Sequence, residues 1–88
     1  MLTRVGAMDR QEAYRKFQVT AADLLDLDAA AIVPEARFAE DLCVDSLGFV
    51  ELTLALEDAF SIKIPDPDPD DVATVGAAFD YVAKVIGV

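Results

Sequence analysis

The chain of 88 residues predicts one small all-α domain, a helical bundle, and three observations carry that expectation. Apolar residues recur at helical spacing in three separate segments, whereas evidence for strands is weak. The length suffices for one domain with a modest core and not for two. The hydrophobic fraction of 55% is too high for a disordered acidic tail, so the chain is expected to fold.

The first helix is expected over residues 9 to about 25, where Ala13, Phe17, Ala21, Leu24 and Leu25 recur with charged residues between them. The pattern then breaks across "LDLDAAAIVPEARFAEDLCVD", a long loop of about twenty residues. Pro34 pushes Val33 towards an extended backbone and opposes a continuous helix. Ile32, Phe38 and Leu42 are expected to anchor this loop in the core. A second helix opens at Ser46 and runs to about residue 60, before "SIKIPD". The stretch "PDPDPDD", residues 65–71, reads as a turn-rich acidic linker with one short helical turn after Asp68. The last helix, from about 75 to 86, places Val75, Phe79, Val82 and Ile86 on one face, with Gly87 as its C-terminal stop. Three amphipathic helices plus a short fourth element make a small bundle.

Composition excludes several function classes. The chain has 17 acidic and 7 basic residues, a formal net charge of −10. Phosphates would repel it, so nucleic acid and anionic membrane surfaces are not expected partners, and a basic protein is. Neither a signal peptide nor a membrane span is present, which points to the cytoplasm; Met8 offers an alternative start, leaving residues 1–7 as a flexible N-terminal extension. The single cysteine, Cys43, has no internal disulfide partner and no spacing resembles a zinc site. It is expected as a half-buried loop cysteine with nothing nearby to activate its thiol. Asp66, Asp68 and Asp70 alternate as in a calcium loop, but Asp71 and Ala77 stand where such a loop needs glycine and glutamate, so no metal is expected. No histidine is present, which removes the usual activation of a serine or cysteine nucleophile; no catalytic residue is assigned.

The second helix carries the functional signal. Phe49, Leu52, Thr53, Leu56 and Phe60 fall on one side at about 100° per residue, and Leu47, Val50, Glu51, Leu54 and Asp58 on the other. The first set is the better core face; the second, if exposed, is an apolar stripe edged by carboxylates, as a docking surface is. Periodicity alone leaves open that both faces are buried. Between Phe38 and Ile62 stand six acidic residues (Glu40, Asp41, Asp45, Glu51, Glu57 and Asp58) and no lysine or arginine. Glu57 and Asp58 lie near the C-terminal end, where the helix dipole disfavours negative charge, so their placement suggests a basic partner. Ser46 reads in two ways. Serine is a favoured N-cap, yet Asp45 can cap equally well, which would leave the Ser46 hydroxyl exposed at the first helical position. Gly48 is unfavourable inside a helix and, lacking a side chain, would keep the surface around Ser46 open.

The segment "DLCVDSLGFVELTLALEDAFSIKIPD" closely resembles the acyl carrier protein signature, in which Asp-Ser-Leu opens the second helix. The resemblance extends from the first helix to Tyr81 and includes Ile32, Phe38, Leu42, Ile64-Pro65-Asp66, Thr74-Val75 and Ala78. It implies a small four-helix bundle with a long loop between helices 1 and 2 and a short third helix, forming a carrier domain over residues 8–88. It also implies that Ser46 accepts 4'-phosphopantetheine from coenzyme A through a phosphopantetheinyl transferase. The arm's thiol would then carry acyl groups as thioesters in fatty acid or polyketide biosynthesis. Asp45, Leu47, Val50, Glu51, Leu54, Glu57 and Asp58 are the expected docking positions for an acyltransferase, ketosynthase or other acyl-processing enzyme with a basic patch. The protein is thus expected to be a monomeric carrier and not an enzyme. Two departures stand out: Cys43 replaces a usual glycine, so the local turn is expected to differ, and Gly48 replaces a frequent acidic residue. A peptidyl or aminoacyl carrier is the rival within the family, but Cys43-Val44-Asp45-Ser46 lacks its Gly-Gly-x-Ser pattern. An unmodified acidic adaptor using the Leu47–Leu54 stripe is the rival outside it. Phe17, Phe38, Phe49, Phe60, Phe79 and Tyr81 are expected in the core or lining an acyl cavity.

Overall fold

The computed structural model describes residues 9–64 and 72–88. The expected N-terminal extension and the acidic 65–71 linker, with its short helical turn and its Asp66, Asp68 and Asp70, lie outside the described residues. Those described form three α-helices: α1 (Arg10–Leu25), α2 (Ser46–Phe60) and α3 (Val75–Ile86).

Local chemistry accounts for each boundary. Asp9 caps α1 with its carboxylate on the Glu12 amide, while Glu12 reaches back to the Asp9 amide, so two amides left over at the helix start are satisfied reciprocally. Thr74 caps α3 through the Ala77 amide at 3.1 Å. Gly87, at φ +86°, ends α3 in the left-handed conformation that glycine adopts without a Cβ clash. Asp26 and Ser61 take the same conformation after α1 and α2.

Ala13, Phe17 and Ala21 of α1 pack with Leu52 and Leu56 of α2 and with Val75, Phe79 and Val82 of α3. Phe79 stands edge-on to Tyr14 and Phe17, at 5.1 and 5.7 Å between ring centres. Among the described residues no polar or charged side chain is buried, so this interior has no room for a concealed catalytic group.

The long loop is packed, as its anchors predicted. Ile32 and Phe38 are buried and Leu42 lies against the core. Residues 29–31 form one short 3-10 turn, which Gln18 holds through the Ala29 and Ile32 carbonyls and Tyr14 through Ile32. Arg37 pairs with Thr74 in a single antiparallel bridge, and the Phe38 amide donates to the Ala73 carbonyl at 3.0 Å. The loop is thereby tied to the entry of α3 and delivers the chain to Ser46 in one orientation.

Candidate functional site

The ambiguity at the start of α2 is settled by hydrogen bonding. Asp45 has an extended backbone and its carboxylate accepts the Gly48 amide at 2.7 Å, so Asp45 is the N-cap. Ser46 is the first helical residue, exposed, and its hydroxyl has no hydrogen-bond partner among the described residues. Gly48 has a more specific part than keeping the surface open. A Cβ there would lie 3.2 Å from the Asp45 carboxylate and 3.3 Å from the Val44 side chain, a tight fit that would ask both side chains to give by a few tenths of an ångström.

Cys43 corrects two expectations. It is exposed, not half-buried. The turn does not depart to suit a side chain; Cys43 takes a left-handed φ of +56°, the conformation for which glycine is best suited. The reason lies in its neighbours. Val44 is buried with its amide on the Phe38 carbonyl at 2.7 Å, and Asp45 caps α2, so residue 43 is held between two fixed neighbours.

The loop before the site is braced by Arg37. Its backbone amide and guanidinium both donate to Asp41, at 2.8 and 3.3 Å, and the guanidinium also meets Glu40 at 3.3 Å. The Arg37 amide, then the guanidinium, hold the Asp41 carboxyl below its usual range. Glu40 and Asp41 are therefore matched within the loop.

Both faces of α2 are now distinct. Leu52 and Leu56 are buried, while Phe49, Thr53 and Phe60 are half-buried against the core. Leu47, Val50 and Leu54 are 67%, 53% and 59% exposed, which is a large exposure for three apolar side chains on one helix. Glu51 and Asp58 are exposed beside them. Glu57 differs from these two: half-buried, it accepts the Ile64 amide at 2.7 Å and so ties the segment after α2 back to the helix.

Sequence reasoning left open whether the aromatic residues lie in the core or line an acyl cavity and gave such a cavity no position. The structure shows a cleft beside Ser46 that Phe38 and Phe49 line. It has a volume of about 510 Å³ and runs from Ser46 along α2 between Phe38 and Val44 on one side and Ile64 and Val72 on the other. These four walls all come from segments outside the α-helices, which have no periodicity to mark them; the signals were the run of apolar anchors in the loop and the aromatic residues. Its lining is largely apolar, so it suits a hydrocarbon better than a polar ligand. Among the described residues no group of acidic or cysteine side chains is placed to hold a metal ion, and no helix is long and apolar enough to cross a membrane.

An exposed serine hydroxyl at a helix N-terminus fits a phosphodiester-linked group. The oxygen is accessible, and the partial positive charge of the helix end favours the phosphate. Residues 15–82 match the model of a family described as a phosphopantetheine attachment site. The chain is 47% identical to an acyl carrier protein of Rubrobacter xylanophilus over 77 residues, covering 88% of this chain and 95% of that one. It is 43% identical over 75 residues to an acyl carrier protein of Thermosynechococcus vestitus, covering 85% and 93%. A third, from Syntrophobacter fumaroxidans, is 49% identical over 63 residues, covering 72% and 78%.

Proposed function

The chain belongs to the acyl carrier protein family, and we propose that it holds acyl groups on a 4'-phosphopantetheine arm joined to Ser46. Members of this family are carriers, not enzymes, and bear the arm covalently. The observation that carries the assignment to Ser46 is its exposed hydroxyl, released from capping by Asp45 and opening on the apolar cleft. The other serine, Ser61, lies past the far end of α2 in a left-handed conformation, away from both the helix N-terminus and the cleft lining.

Attachment would join Ser46 Oγ to the pantetheinyl phosphorus of coenzyme A. The pyrophosphate bond breaks and the adenosine bisphosphate half leaves. The serine proton goes to a base of a phosphopantetheinyl transferase, since this chain has no histidine to receive it. Once in place, the arm supplies a thiol on which acyl groups of fatty acid or polyketide assembly are held as thioesters. The lining of Val44, Val50, Ile64 and Val72 would shield an acyl chain from water.

The same reading gives the exposed face of α2 its role. Leu47, Val50 and Leu54 form the apolar centre of a docking surface, and Asp45, Glu51 and Asp58 its acidic rim, for an acyltransferase, ketosynthase or similar enzyme with a basic patch. Glu57 contributes to this rim while also holding Ile64. The proposal extends to a cytoplasmic monomer, with residues 8–88 as a carrier domain of the four-helix type.

Incubation with coenzyme A and a transferase of broad specificity tests the reading by intact mass. The wild type gains the mass of one arm and Ser46→Ala gains none. A wild type that stays unmodified would leave an acidic adaptor as the better account.

A further inference from the structure

The cleft beside Ser46 adjoins a second, smaller space. A void of about 20 Å³ lies between α2 and α3, lined by Leu52, Leu56, Ala78, Tyr81 and Val82. Phe49, Thr53, Ile64 and Val72 line both spaces and therefore form the partition between them. Phe49 is the largest of the four, and its ring is held edge-to-face against buried Phe38, with 5.8 Å between ring centres. Thr53 donates its hydroxyl to the Phe49 carbonyl at 3.0 Å, so that polar group is already satisfied by the helix.

The two volumes differ in what they admit. The outer cleft, at about 510 Å³, is roughly three times the size of a cavity that holds a benzene ring. The inner void, at about 20 Å³, has room for about one water molecule and none for a hydrocarbon segment. A chain entering from Ser46 therefore fills the outer cleft and meets the Phe49 ring before it reaches the space behind.

We propose that Phe49 determines acyl-chain length in this protein, stopping the chain at the partition so that carbons beyond it stay in solvent. This rests on the reading of Ser46 as the attachment site. Each methylene taken out of water favours the enclosed form by about fourfold, so enclosure strengthens with length until the partition is reached and then stops gaining. Removing the ring joins the inner void to the cleft and moves that limit to longer chains. Phe49 also packs against Phe38 and the core, which is why each acyl form is compared with the unacylated form of the same variant; the cap, the Ser46 hydroxyl and the acidic rim do not involve its side chain.

The test loads the full chain from straight-chain acyl-coenzyme A donors of about four to about sixteen carbons. The melting temperature of each acyl form is read against the unacylated arm-bearing form of the same variant. In the wild type the increment grows with length and then levels off. In Phe49→Ala the levelling point moves out by about two to four carbons, and in Phe49→Leu by less. The leucine variant keeps an apolar side chain of intermediate size, so the comparison survives if alanine fails to fold. A levelling point unmoved in both variants overturns the role of Phe49 and leaves the attachment at Ser46 intact. No dependence on length in any variant overturns the proposal as well, placing the cargo outside the cleft. Failure of the wild type to load overturns the reading on which it rests.

Discussion

Cys43 is held at φ +56°, where the Cβ of an L-residue crowds the following carbonyl oxygen at a cost of roughly 1–2 kcal/mol. Glycine would relieve that strain, offset by about 0.4–1 kcal/mol of extra freedom in the unfolded chain. Because the cysteine is exposed, little packing is lost. Cys43→Gly is therefore expected to stabilise the protein by about 0.5–1 kcal/mol, read as a rise in melting temperature of roughly 4 °C. A fall would show that the cysteine side chain makes up for its own strain. Asp41 gives a second expectation at this scale. Its folded pKa is depressed by the Arg37 amide and then the guanidinium, so its contribution to stability is complete above the ordinary carboxylate range near pH ~4. That contribution is lost as pH falls through the depressed value. In a carboxyl-carbon NMR titration Asp41 should titrate below the usual aspartate midpoint. Arg37→Ala should move it only part of the way back, because the backbone amide of residue 37 still donates.

The helices were legible because their apolar spacing marked them and because Gly87 gave the stop of the last one. The caps Asp9 and Thr74 and the left-handed ends at Asp26 and Ser61 came from the structure. The expected segments of 9–25, 46–60 and 75–86 differ from α1, α2 and α3 by one residue at most. What the sequence left undecided at α2 was which face meets water. Leu47, Val50 and Leu54 are as apolar as the residues opposite, and only the packing of α1 and α3 on the Leu52 and Leu56 side decides between them. The cleft was illegible for a different reason. Val44, Ile64 and Val72 reach it from segments held by long-range hydrogen bonds such as Phe38 to Ala73, which no local pattern encodes. Glu57 looked like another rim carboxylate, and its bond to Ile64 separates it from Glu51. This distinction bears on charge reversal. Glu51→Lys should leave the melting temperature unchanged and lower the kcat/KM of a partner enzyme by roughly 3–10-fold at low salt, with the deficit shrinking as salt rises. Glu57→Lys mixes a docking effect with about 1 kcal/mol of lost hydrogen bonding and is the poorer probe. Unchanged rates for Glu51→Lys at low salt would remove α2 as the docking surface.

At the scale of the whole molecule, a net charge of −10 and a core that, among the described residues, buries no polar side chain fit a protein whose proposed partners meet it at its surface. On the proposed reading, long-range attraction to basic enzymes would speed encounter, and an apolar stripe of three side chains would be small enough for release. Such contacts suit a cargo bearer that visits several enzymes in turn. The account depends on one covalent bond, and its location can be read directly. After treatment with coenzyme A and transferase, the tryptic fragment 38–63 contains both serines of the chain, Ser46 and Ser61. Fragmentation of that peptide by tandem mass spectrometry is predicted to place the whole added mass on Ser46, with Ser61 unmodified. An arm found on Ser61, or on a residue outside this fragment, would contradict the account.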